Sequence, residues 1–100
     1  MIIEVSGSGA VSIADARDLK RLSVQAPRMA VDALAAALGP LGAPDGDGEH
    51  VFLDPAQLRT RSGIADPEWE KQFAGMIEYA SGHGWTDDLG RVRAHVEYDG

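Results

Sequence analysis

The chain has 100 residues, of which 44% are hydrophobic and 25% are charged, and its formal net charge is −7. This composition predicts a single globular domain over residues 1–100, and the lack of cysteine excludes disulfides, thiolate zinc sites and cysteine nucleophiles. The acidic balance disfavours binding to nucleic acid or to anionic lipid, because both require positive charge facing phosphate.

The first segment predicts a strand followed by a turn. Residues 2–5, Ile-Ile-Glu-Val, are rich in β-branched side chains and lead into the Ser-Gly-Ser-Gly stretch at 6–9. No basic leader precedes them, and the apolar run is too short for a signal peptide or a membrane span. We therefore expect a cytoplasmic protein with no membrane partner.

Residues 12–26 fit two local structures. A cap at Ser12 favours a short helix through Leu19, whereas residues 22–24 alternate like a strand that stops before Pro27. We expect a short helix followed by a short strand.

A clearer helix is predicted over residues 27–38, because Pro27 suits the first helical position and Gly39 ends the apolar periodicity. Residues 39–50 then predict a loop rich in Gly, Pro and Asp. Its DGDGE core at 45–49 resembles part of a calcium loop but lacks the further ligands of an EF-hand. A solvated acidic loop is the simpler interpretation.

The second half of the chain predicts a strand at 50–54, a short helix at 55–62, a long helix at 67–81 and a strand at 91–98. Asp66 is the expected N-cap of the long helix. One apolar stripe of this helix should face a core: Trp69, Phe73, Met76, Ile77 and Ala80.

These elements predict an α+β fold in which about three helices pack on a small, mainly antiparallel sheet. The order of elements over residues 27–98 also follows that of a winged-helix domain, although no family motif accompanies it. Fold does not determine function, so a nucleic-acid-binding regulator is kept only as an alternative.

The charge of the long helix opposes that alternative. A recognition helix presents basic or amide side chains to DNA, yet residues 66–82 carry four acids against Lys71. Four arginines would form a basic patch only if the short helix and the last strand lay together: Arg59, Arg61, Arg91 and Arg93.

A metal site is suggested by His83 and His95, which flank a turn containing Asp87 and Asp88. No paired ligand spacing supports it. His83 instead suits a helix C-terminus, and His95 suits the polar face of the last strand. We therefore predict neither metal nor cofactor.

No nucleophile elbow or other catalytic signature is visible, so a small enzyme is a further alternative with no catalytic residue assigned. The leading prediction is a noncatalytic protein-interaction or accessory module that binds a protein partner or a second copy of itself. Five residues are the candidate partner contacts: Trp85, Tyr79, Arg91, Arg93 and His95. Trp85 comes first because it lies outside the helix stripe, with closure of the core as its alternative role.

Overall fold

The computed structural model describes residues 1–46 and 48–99. The strands are β1 (Ile2–Val5), β2 (Val11–Ala14), β3 (Ser23–Pro27), β4 (Gly42–Asp45), β5 (His50–Leu53) and β6 (Val92–Asp99). The helices of the described residues are α1 (Val31–Leu38), α2 (Pro55–Ser62) and α3 (Pro67–Gly82), with a 3₁₀ turn at Gly39–Leu41. None of these helices is both long enough and apolar enough to cross a membrane.

The six strands form one mixed sheet in the order β2-β1-β3-β6-β5-β4. β3 pairs in parallel with β1 and with β6, and the three other pairings are antiparallel. β6 is the longest strand and lies in the interior of the sheet, between β3 and β5. On each face of the sheet, residues of β6 therefore lie between residues of β3 and β5, although the three strands are far apart in the sequence.

The two faces of the sheet differ in polarity because side chains alternate along each strand. On β6, Val92, Ala94 and Val96 are buried, whereas Arg93 and His95 are exposed. The buried face packs with the apolar sides of all three helices in one hydrophobic cluster. The opposite face carries no helix among the described residues, and we call it the open face.

Helix α3 supplies the largest core side chains. Asp66 caps its first turn by accepting a hydrogen bond from the Glu68 N–H at 3.1 Å, as predicted. Trp69 is 2% exposed, stacks on Phe73 at 4.9 Å between ring centroids, and donates its indole N–H to the carbonyl oxygen of Ala16 at 2.8 Å. The predicted apolar stripe is confirmed.

The α+β class and the three helices are confirmed, but the sheet is larger and more mixed than predicted. The predicted helix after Ser12 is wrong, because residues 11–14 form β2, which pairs with β1 along its whole length. The strand before Pro27 is confirmed as β3. Helix α1 begins only at Val31, since the pairing of β3 with β6 continues to Pro27.

The predicted loop at 39–50 contains β4, an edge strand. Pro44 is compatible with this position because an edge strand needs no N–H donor on its free side. The winged-helix order is not confirmed: β4 lies where a loop was expected, and β6 pairs in parallel with β3. The predicted acidic loop includes Asp47, which lies outside the described residues.

Candidate interaction surface

The chain folds back on α3 immediately after the helix ends. The His83 N–H bonds to the carbonyl oxygens of Tyr79 and Ala80, as expected for a helix C-terminus, and the Trp85 N–H also reaches the Ala80 oxygen, at 2.9 Å. Between them, Gly84 has a φ of +74°, a conformation that favours glycine. This turn holds the indole of Trp85 beside the last turn of α3.

The loop that follows is organised by one carboxylate. Asp87 accepts hydrogen bonds from the backbone N–H groups of Leu89 (3.0 Å) and Arg91 (2.8 Å) and from the Arg91 Nε (2.6 Å). Partial burial by itself would raise the pKa of Asp87, but the hydrogen bonds from Arg91 and Leu89 outweigh it and lower the pKa below its ordinary value. Arg91 is thus engaged in holding the loop and lies outside β6.

Trp85 lies next to the first residues of β6. The Arg93 N–H bonds to the Trp85 carbonyl oxygen at 2.8 Å, and Thr86 forms an antiparallel bridge with Val92. Paired residues of antiparallel strands project to the same side. The indole of Trp85 and the guanidinium of Arg93 are therefore neighbours on the open face.

Three rings form an exposed aromatic cluster, which we define as Tyr79, His83 and Trp85. The ring centroid of His83 lies 4.3 Å from that of Tyr79 and 4.7 Å from that of Trp85. The ring planes of His83 and Trp85 are nearly parallel, with an angle of 19° between them. Tyr79 is 63% exposed and Trp85 is 43% exposed. Trp85 therefore does not close the core, which Trp69 and Phe73 fill instead.

An apolar groove of about 180 Å³ opens beside this cluster. Most of the side chains that line the groove are aliphatic or aromatic, and two are cationic, namely Lys20 and Arg93. It is lined by Leu19, Lys20, Leu22, Met76, Tyr79, Ala80, Trp85, Val92 and Arg93.

On the open face the groove adjoins a second, shallower cavity of about 290 Å³, lined by His50, Trp85, Arg93 and His95. His50 and His95 are directly opposite on β5 and β6, with ring centroids 5.2 Å apart. The Arg93 Nη2 lies 3.3 Å from the His50 Nδ1, a geometry in which the guanidinium donates. We call His50, Arg93 and His95 the His–Arg patch.

The structure brings together four of the five predicted contact residues: Tyr79, Trp85, Arg93 and His95. Arg91 is the exception because it pairs with Asp87. His50 was missed by sequence reasoning. The strand pattern of His-Val-Phe-Leu at 50–53 could have indicated His50, because side chains alternate along a strand. The contact of His50 with His95, however, depends on the long-range pairing of β5 with β6.

The alternative metal site does not form. His83 stacks on Trp85, His95 faces His50, and Asp87 is committed to Arg91. Within residues 1–46 and 48–99 there is no group of three or more His, Cys, Asp or Glu side chains placed to hold a metal ion.

The condition for a basic patch of four arginines, that the short helix and the last strand lie together, is not met by Arg59 and Arg93. Arg59, on α2, pairs with Glu70 of α3 at 2.9 Å on the helical side of the sheet. Arg93 projects from the opposite, open face. These cations therefore cannot face one phosphate backbone together.

No family model matches the sequence, and comparisons with curated proteins and with solved structures find no match. A fold on its own does not identify a function. The chemistry of the aromatic cluster, the groove and the His–Arg patch is therefore the basis for the proposal that follows.

Proposed function

We propose that this protein is a noncatalytic interaction module that binds a protein partner through the aromatic cluster, the apolar groove and the His–Arg patch. The observation that carries the proposal is the exposure of Tyr79 and Trp85 beside the groove. The proposed contacts are Tyr79, Trp85, Arg93, His95 and His50, whereas Arg91 positions the loop through Asp87.

The residue types support a protein interface. Trp, Tyr and Arg are enriched among the side chains that contribute most to binding between proteins, because they combine large apolar area with a polar group. Here two exposed aromatic rings and one arginine lie around a single depression. Anchors at a concave centre are typical of such interfaces.

The groove by itself is smaller than a typical small-molecule pocket. Pockets for drug-sized ligands enclose roughly 300–1,000 Å³, whereas this groove encloses about 180 Å³. That volume suits one apolar side chain inserted from a partner. The remainder of the partner would lie over the exposed rings.

The proposal is tested by affinity capture with matched variants of the full chain. Three proteins are immobilised and exposed to lysate of the source organism: the unmodified protein, the double variant Tyr79→Ser/Trp85→Ser and the control Leu89→Ser. Leu89 is a suitable control because it is 77% exposed and lines neither cavity. Light scattering over a wide range of protein concentration tests self-association in parallel.

We expect a partner, or a dimer, that is retained by the unmodified protein and the Leu89 variant and lost from the double variant. Circular dichroism must show that the double variant is folded. A protein that stays monomeric and captures nothing contradicts the proposal, as does a partner that all three proteins capture equally.

A further inference from the structure

We propose that the partner presents a carboxylate close to an apolar side chain. The apolar side chain occupies the groove, and the carboxylate binds the His–Arg patch. This inference rests on the proposed function and specifies the chemistry of the partner.

The two cavities adjoin and share two walls, Trp85 and Arg93. In an extended peptide, alternate side chains project to the same side and lie about 6–7 Å apart. A peptide with its apolar and acidic side chains at i and i+2 is therefore a suitable probe of a ligand that contacts both cavities.

Charge complementarity identifies the second side chain as acidic. Arg17, Arg59 and Arg91 each pair with a carboxylate of the protein. Arg93 belongs to none of these pairs and contacts His50 instead. A guanidinium presents five N–H donors, so Arg93 retains donors for a carboxylate supplied from outside.

Two acids of the open face, Glu97 and Asp45, lie beside the histidines of the patch and away from Arg93. Glu97 projects to the same side of β6 as Arg93, but four residues along a strand separate the two by about 13 Å. Asp45 lies opposite His50 on β4, beyond β5 as seen from Arg93. Neither position pairs with Arg93, whereas Lys20 adds a second cation to the groove.

The test uses three blocked tripeptides as probes: Phe-Gly-Glu, Phe-Gly-Gln and Ala-Gly-Glu. Binding is followed by NMR at the indole N–H of Trp85, with the signal of the buried Trp69 as an internal reference. The second peptide removes only the charge, and the third removes only the aromatic anchor. Each peptide is titrated into the unmodified full chain and into two variants, Arg93→Gln and Arg61→Gln.

We expect Phe-Gly-Glu to bind roughly fivefold more tightly than Phe-Gly-Gln, as one partly exposed ion pair provides, and to bind more tightly than Ala-Gly-Glu. Arg93→Gln should abolish the preference for Glu over Gln. Arg61→Gln makes the same chemical change on an exposed residue of α2 that lines neither cavity, and it should preserve that preference.

Equal affinity for the Glu and Gln peptides, or a preference that survives Arg93→Gln, overturns this inference and leaves the interaction surface itself in place. The absence of binding by all three peptides also overturns it. The proposed function is judged separately, by whether a captured partner or a dimer depends on Tyr79 and Trp85.

Discussion

The two tryptophans provide a direct test of how core and surface are divided. Trp69 is 2% exposed and bonded to Ala16, whereas Trp85 is 43% exposed on the aromatic cluster. We consider the same chemical change at both positions, Trp69→Phe and Trp85→Phe. Because the side chain removed is identical, the difference in unfolding free energy reports the environment alone.

The Trp69→Phe variant should lose about 2–3 kcal/mol of unfolding free energy. The indole hydrogen bond to the Ala16 oxygen contributes about 1 kcal/mol. The smaller ring leaves a gap in the core that costs about 1–2 kcal/mol more. The Trp85→Phe variant should stay within about 0.5 kcal/mol of the unmodified protein, as an exposed substitution does.

Urea denaturation followed by circular dichroism measures both values. Thermal melts should show a loss of about 10–20 °C for Trp69→Phe and only a few degrees for Trp85→Phe. Acrylamide should quench the remaining tryptophan strongly in Trp69→Phe and weakly in Trp85→Phe. Similar stability losses in the two variants would mean that Trp85 belongs to the core, and the interaction surface would then be refuted.

Two further predictions concern the backbone and the loop. Gly42→Ala would bring its Cβ into collision with the Phe52 carbonyl oxygen, so it should destabilise the protein by about 1–3 kcal/mol in urea denaturation. Gly75→Ala, in open space on α3, should instead stabilise the protein by about 0.5–1 kcal/mol. Equal effects of the two substitutions would contradict the β4–β5 register. The lowered pKa of Asp87 means that its stabilising contribution is present above its unfolded-state pKa, near 3.9, and is lost as pH falls through the lower folded value. Trp85 emission should therefore change as the pH falls through the lowered pKa of Asp87, and Asp87→Asn should abolish that step. An unchanged acid profile in the variant would show that Asp87 does not organise the loop.

Local signals in the sequence predicted α2, α3 and four of the strands, and they failed for β2, for β4 and for the order in which the strands pair. The apolar period of 3.6 and the cap at Asp66 predicted α3 closely, because both act within a few residues. The segment after Ser12 was misread, since its side chains suit a helix or a strand and the pairing with β1 decides between them. For the same reason, the start of α1 moved from Pro27 to Val31.

Some features of the candidate surface likewise follow from local sequence patterns, whereas others depend on tertiary contacts. The sequence by itself determined that Arg93 and His95 share the polar face of a strand and that Trp85 and Tyr79 lie off the apolar stripe of α3, because these placements follow from strand and helix periodicity. Only the tertiary structure decided that His50 joins His95, that Arg91 is bound to Asp87, and that a groove separates Tyr79 from Leu19 and Lys20. These contacts join segments far apart in the chain, and their register is set by burial of the shared core, which no local pattern encodes.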